Sequence, residues 1–179
     1  MNLIEELKNY CDINNPVGAL MLSGEWGCGK TYLIKTKFIP SVKDTYVFVC
    51  ISLFGIDSLD KLRVEVKKKW LEKASEFDSL NGTKVSRVAD SCRRIFDTIK
   101  DRLPENWQKK GEVVSSIMDL INFMPISNRM FEKKVILVFD DLERTNISCT
   151  DLLGCINDYC ENQGFNTIIV ANEEKIKDR

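Results

Sequence analysis

Four short runs of apolar residues divide the chain, and stretches with helical spacing separate them. The runs are rich in branched and aromatic side chains and occupy 19–22, 46–51, 135–139 and 167–171. An unbroken apolar run of this length is typical of a strand that is buried on both faces of a parallel sheet. Apolar residues at helical spacing in 2–11 predict the first helix. The pattern therefore predicts an α/β domain in which helices sandwich a parallel sheet.

The helix after the first strand has a predicted end as well as a predicted start. It is expected to begin at Lys30 and to end at about Phe38, shortly before Pro40. Proline disfavours the helical conformation in the residue before it and lacks the N–H group that a helix interior needs. We therefore expect this helix to stop before the proline.

A long stretch rich in charged residues, 57–133, lies between the second and third strands. Apolar residues recur at helical spacing three times within it, starting at 59, 85 and 113. We interpret this stretch as a helical insert within one domain that spans 1–179. Its basic residues are interleaved with acids, which favours a solvated helix surface over a groove for nucleic acid.

Composition removes several kinds of chemistry. The chain has no histidine, which excludes Ser-His-Asp and Cys-His catalysis and histidine-ligated zinc. Its seven cysteines include no Cys-x-x-Cys pair, which favours reduced thiols over disulfides or a zinc site. A formal net charge of −1 gives no overall attraction for nucleic acid. With neither a secretion signal nor an apolar run of about 18 residues, we expect a cytoplasmic protein without a membrane partner.

The strongest motif directly follows the first strand. It matches the pattern G-x-x-x-x-G-K-[ST] and reads Gly24-Glu25-Trp26-Gly27-Cys28-Gly29-Lys30-Thr31. Glycines let successive backbone N–H groups turn toward phosphate oxygens, Lys30 supplies a positive charge to the β/γ-phosphates, and Thr31 offers a hydroxyl to Mg²⁺. A strand before the motif and a helix after it are the context that such a loop requires. The sequence therefore predicts a site for the phosphates of a nucleotide and for Mg²⁺.

Two residues inside this loop allow two interpretations each. Trp26 either supports the loop as a hydrophobic prop beneath it or shields the nucleotide or a partner surface. Cys28 is either a reactive thiol beside Lys30 or a side chain that only fills space.

Acidic residues follow the third strand, and an amide follows the fourth. Asp140 comes at the carboxyl end of a buried strand, where a ligand that orients Mg²⁺ is expected, with helix capping as the simpler alternative. Asp141 is the candidate for activating the attacking water, with Glu143 as the alternative base. Arg144 either pairs with these carboxylates or contacts a neighbouring subunit. Asn172 either orients the water or caps the next helix.

The loop with its internal Trp26-Gly27 pair, together with the Asp140-Asp141-Leu142-Glu143-Arg144 run, resembles the KAP family of P-loop NTPases. The family more often has Asp at position 172, and Asp-Leu-Asp-Arg where this chain has Asp-Leu-Glu-Arg. The resemblance implies the ASCE, AAA-like arrangement, in which an additional strand separates the phosphate-loop strand from the acidic strand. It further implies a fifth core strand, so that 1–179 would be the N-terminal part of a longer protein.

The functional expectation follows from the motif and the resemblance together. The guanine-reading pattern Asn-Lys-x-Asp does not occur after the fourth strand, which favours ATP over GTP; Asn172-Glu173-Glu174-Lys175 stands there instead. We expect a Mg²⁺-dependent ATPase, and the resemblance implies that it couples nucleotide state to assembly, as a homo-oligomer, or to an effector protein in bacterial anti-phage defence. The alternatives are an ATP-binding switch or scaffold that does not hydrolyse ATP, and a motor or loader that depends on nucleic acid.

Overall fold

A computed structural model describes residues 2–81, 126–130 and 132–177. The chain divides into two compact units, one of Met1–Leu62 with Ser127–Arg179 and one of Arg63–Ile126. The second and third helical patterns of the predicted insert, from 85 and from 113, lie outside the described residues. The insert as a whole therefore stays a prediction.

A sheet whose four main strands are parallel forms the centre of the first unit. In chain order they are β1 (Leu20–Ser23), β2 (Tyr46–Ser52), the two-residue β3 (Arg129–Met130), β4 (Lys133–Asp140) and β5 (Asn166–Ala171). Their order in the sheet is β1-β5-β4-β2, with every neighbouring pair parallel, and β3 pairs antiparallel with the start of β4. The four strands predicted from apolar runs are confirmed to within two residues at each end. β3 lies inside the stretch assigned to the insert, and two residues are too few for a periodic pattern to reveal.

Strand β5 lies between the phosphate-loop strand β1 and the acidic strand β4. This is the strand order that the resemblance implied, and it confirms the predicted fold class of a parallel sheet with helices.

Helices cover both faces of the sheet. In the first unit they are α1 (Leu3–Asp12), a helical segment after β1, α5 (Cys149–Glu161) and α6 (Glu173–Lys177); α4 (Leu59–Asn81) starts in the first unit and continues into the second. On one face, α1 and the segment after β1 bury Leu7 and Phe38 in a cluster that includes Ile136 and Val138 of β4. On the other face, Tyr159 of α5 packs 6.2 Å from the neighbouring β4 residue Phe139, measured between ring centres. None of the helices in the described part of the chain is long and apolar enough to span a membrane.

The helical segment after β1 continues past Pro40, so the prediction that it stops before the proline is wrong. It consists of α2 (Lys30–Tyr32), a π-helical stretch (Leu33–Phe38) and α3 (Ile39–Val42). In the π-helical stretch the N–H of Ile39 donates to the carbonyl of Ile34, five residues earlier. This shift lets Pro40 stand at the start of a new helical turn, where its missing N–H leaves no bond unmade.

The strand register brings the carboxyl ends of the four parallel strands to one edge. Ser23 at the end of β1 pairs with Ala171 at the end of β5, and Ser52 at the end of β2 pairs with Asp140 at the end of β4. The phosphate loop, the acidic turn and Asn172 leave the sheet at this same edge. Residues far apart in sequence are therefore gathered there, as expected for a ligand site in an open α/β sheet.

Candidate nucleotide-binding site

Two glycines shape the loop between β1 and α2. Gly27 and Gly29 have φ angles of 80° and 91°, a region that residues with a side chain rarely adopt. Gly29 immediately precedes α2, and its carbonyl accepts a hydrogen bond of 2.8 Å from the N–H of Leu33. The loop therefore turns sharply into a helix start, where backbone N–H groups and the helix dipole favour an anion.

The ammonium group of Lys30 lies against its own loop. Its Nζ donates to the carbonyl oxygens of Gly24 at 2.5 Å and Glu25 at 2.8 Å. The exposed thiol of Cys28 lies 3.8 Å from the same nitrogen. Lys30, the residue predicted to bind phosphate, is thus held at the loop by two neutral carbonyl acceptors. Phosphate oxygens are charged and therefore stronger acceptors, so they would take the place of the carbonyls.

Thr31 and Asp140 meet although 109 positions separate them. The hydroxyl of Thr31 donates to Oδ1 of Asp140 at 3.0 Å. Asp140 is only 6% exposed, and its Oδ2 lies 3.3 Å from the Nζ of Lys35, whose side chain is half exposed. A hydroxyl and a carboxylate are the hard oxygen ligands that suit Mg²⁺. Thr31 and Asp140, the two residues predicted to hold Mg²⁺, therefore lie in contact and supply oxygen atoms of the kind that Mg²⁺ prefers.

In the described ranges 2–81, 126–130 and 132–177, no group of three or more metal-binding side chains is assembled. Mg²⁺ in phosphate sites is ordinarily held by one or two protein oxygens together with water and the phosphates of the substrate. Thr31 and Asp140 fit that pattern of binding.

Asp141 stands at a strained turn with its carboxylate toward the site. Its φ of 62° places it in the left-handed region, which Asp tolerates better than most residues. Oδ2 accepts a hydrogen bond of 3.3 Å from the hydroxyl of Ser52, and Oδ1 lies 3.4 Å from the Nε of Arg144. The pairing of Arg144 with a carboxylate, one of the two interpretations from the sequence, is thus present. Ser52 was not singled out by sequence reasoning, because a serine at the end of a strand carries no motif.

Glu143 is a buried carboxylate with both oxygens engaged. Oε1 accepts a hydrogen bond of 2.6 Å from the indole N–H of Trp26, and Oε2 accepts one of 3.1 Å from the backbone N–H of Asn172. Burial acts to raise the pKa of Glu143, but these two hydrogen bonds and the charge of Lys30 outweigh it and hold the pKa below its ordinary value. The group is therefore a charged acceptor that joins the phosphate loop to the end of β5.

Asn172 takes part in this network through its backbone. The residue is 5% exposed and immediately precedes α6, and its carbonyl accepts a hydrogen bond of 3.2 Å from the N–H of Lys175. The structure thus places it beside Glu143 at the site edge, as the strand order requires.

Trp26 does not lie beneath the loop, so the prediction of a hydrophobic prop is wrong. Its side chain is 57% exposed, because its N–H reaches across to Glu143 and leaves the ring at the surface. The guanidinium of Arg144 lies 5.4 Å from the centre of the Trp26 ring and 5.7 Å from the centre of the Phe54 ring. Both distances are within the range of cation–π attraction. Arg144 therefore links Asp141 to two exposed aromatic rings.

The loop, the start of α2, the turn after β4 and the end of β5 line a half-open cavity of about 260 Å³. The residues predicted for phosphate, Mg²⁺ and water activation, Lys30, Thr31, Asp140 and Asp141, all line it.

A parallel sheet of this order, with a glycine-rich loop after β1 and an acidic turn after β4, defines a P-loop NTPase. The model of the KAP family P-loop domain matches residues 2–179, and the chain belongs to this family. The resemblance noted from the loop and the acidic run is thereby confirmed. No curated protein is significantly similar in sequence to this chain.

Proposed function

We propose that this protein is a cytoplasmic ATPase that binds ATP with Mg²⁺, hydrolyses it, and uses nucleotide state to control self-assembly or an effector protein in anti-phage defence. The observation that carries the proposal is the 3.0 Å contact between Thr31 and Asp140 beside Lys30. Three groups that a phosphate–Mg²⁺ site needs thus converge from two strand ends. Membership of the KAP family supports a nucleotide as the ligand, and the defence role rests on the family resemblance alone.

Phosphate binding rests on Lys30 and on the backbone of the loop. The ammonium group would leave the carbonyl oxygens of Gly24 and Glu25 and pair with the β/γ-phosphates, while the loop N–H groups bind the remaining oxygens. ATP is the proposed nucleotide because the residues after β5 lack the pattern that reads guanine.

Thr31 and Asp140 would hold Mg²⁺ through their side-chain oxygens. The ion, when bound, neutralises charge on the β/γ-phosphate oxygens. Lys35 lies 3.3 Å from Asp140 and balances its charge, and its half-exposed side chain can withdraw into solvent when Mg²⁺ binds.

Water activation is assigned to Asp141. Its carboxylate lines the cavity and is oriented by Ser52 on one oxygen and by Arg144 on the other, and each oxygen keeps a further lone pair with which it can accept a proton. Glu143 is the weaker candidate, because it would have to release Trp26 or Asn172 first and its lowered pKa makes it a poorer proton acceptor. Asn172 is proposed to orient the water through its amide.

The test measures ATP·Mg²⁺ affinity by calorimetry and turnover by phosphate release, for the wild type and for Lys30→Ala. We expect the variant to lose tight binding, since the loop cannot replace the missing positive charge. Lys37→Ala removes an exposed lysine from the π-helical stretch and is the matched control. Unchanged ATP·Mg²⁺ affinity in Lys30→Ala would refute the phosphate site. Competition between GTP and ATP tests whether adenine is the preferred nucleotide base.

A second candidate function is an ATP-binding switch that does not hydrolyse ATP. The contacts of Asp141 with Ser52 and Arg144 favour it, because a water molecule that Asp141 is to activate must approach a carboxylate whose two oxygens already have partners. Turnover of the wild type decides between the two functions, and turnover that requires added DNA or RNA would point to a nucleic-acid motor.

A further inference from the structure

A side chain of the phosphate loop reaches across to the acidic turn after β4. Residues 25–29 are all exposed at the surface. Within this exposed segment, Trp26 sends its indole N–H to Oε1 of Glu143, a residue 117 positions further along the chain. The bond is short, at 2.6 Å, and its acceptor is charged, which makes it stronger than a hydrogen bond between neutral groups.

Glu143 is a rigid anchor for the loop. It is 8% exposed, and its second oxygen is held by the backbone N–H of Asn172 at the end of β5. It also lies in the 3-10 turn Leu142–Arg144 that directly follows Asp141. A shift of the loop at Trp26 would therefore disturb a buried charge, whereas the loop is held in place while the bond is intact.

We propose that Trp26 and Glu143 are positioning residues that hold the loop in its phosphate-binding form before nucleotide arrives. The inference rests on the proposed function, since it assigns these residues a task in the same site. A loop that is already ordered loses less conformational entropy on binding. This saving in conformational entropy favours binding of the ground state and of the transition state equally. The contact should therefore alter ATP affinity and leave the rate of the chemical step unchanged.

Trp26→Phe tests this with little risk to folding, because the residue is mostly exposed. The variant keeps an aromatic ring for Arg144 and removes only the N–H donor and part of the ring. We expect the Kd for ATP·Mg²⁺ to rise about tenfold, with kcat changed by less than about twofold. Trp70→Phe makes the same chemical change on α4 and should leave both values unaltered. A loss of kcat at constant Kd, or an unchanged Kd, would overturn the proposal.

Glu143→Gln tests the other end of the bond. It should raise Kd in the same direction as Trp26→Phe, because a neutral amide oxygen is a weaker acceptor for the Trp26 N–H than a carboxylate. The loss in the double variant should be smaller than the two single losses combined, because both substitutions act on the same contact. Melting curves of all variants check that the folded state is intact. Additive losses, or a loss of turnover in Glu143→Gln alone, would show that Glu143 acts directly on the reacting groups.

A nucleotide-free measurement separates this inference from the proposed function. In ¹⁵N–¹H spectra the indole signal of Trp26 is the one that disappears in Trp26→Phe. It should move to higher field in Glu143→Gln, since a neutral amide is a weaker acceptor than a carboxylate. An unmoved signal refutes the link even if ATP binds, whereas failure of the wild type to bind ATP refutes the proposed function whatever the signal does.

Discussion

Asp141→Asn separates nucleotide binding from hydrolysis. The substitution keeps the size and shape of the side chain, so the amide oxygen can still accept the hydrogen bond from Ser52. It removes the negative charge and the ability to take a proton from water. We therefore expect ATP·Mg²⁺ to bind and turnover to fall by about 10²–10⁴-fold, the usual contribution of a general base.

The effect on stability should be small by comparison. The side chain of Asp141 is 33% exposed and that of Arg144 is 45% exposed, so their ion pair is largely solvated. Exposed pairs of this kind contribute about 0–1 kcal/mol. The left-handed backbone at this position is accepted by Asn as readily as by Asp. A loss of activity in this variant would thus not come from unfolding.

The assay combines single-turnover phosphate release with calorimetric titration of ATP·Mg²⁺, and urea unfolding supplies the stability of each variant. Ser52→Ala is a useful companion, because it removes a contact of Asp141 while keeping its charge. Turnover that is unchanged in Asp141→Asn would refute the assignment and move the role of base to Glu143. Loss of ATP binding in this variant would refute the separation of the two steps.

Two further predictions concern the loop and the packing of α1. Cys28 is exposed beside Lys30 whereas Cys155 is buried, so an alkylating reagent should modify Cys28 first, and ATP·Mg²⁺ should protect it. Mass spectrometry measures the two rates, and equal rates that do not respond to ATP would contradict this prediction. Tyr10→Phe should lower the free energy of unfolding by about 1–3 kcal/mol in urea titration. Its hydroxyl donates to one backbone carbonyl at 2.8 Å and accepts from one backbone N–H at 3.0 Å, and both would lose their partner. No change in stability would show that water replaces the hydroxyl.

Strand positions and the phosphate loop were readable from the sequence for physical reasons. A strand buried on both faces is apolar at nearly every position, so the runs at 46–51 and 167–171 stand out against the mixed pattern of the helices. The loop needs glycine at its positive φ angles and lysine and threonine at fixed offsets from it, which leaves a motif. The family resemblance rested on the same residues, and the family match confirms it.

Local rules failed where a neighbouring residue changed the geometry. Pro40 was expected to lie beyond the helix, yet the π-helical stretch before it moves the bonding pattern by one residue and admits the proline. For Trp26 the sequence allowed either a prop beneath the loop or a shield at the surface. Its N–H found a buried carboxylate, and the ring stayed at the surface.

The sequence by itself determined the class of the chain, because a buried parallel strand and a phosphate-binding loop each restrict residue types within a short segment. The tertiary structure decided which side chains meet. Ser52 contacts Asp141, and Trp26 contacts Glu143, only because β4 lies between β2 and β5 and because Asp141 turns the chain through a left-handed conformation. Such contacts join segments up to 117 positions apart. Their partners are therefore set by strand order and turn geometry, which no local pattern of residues encodes.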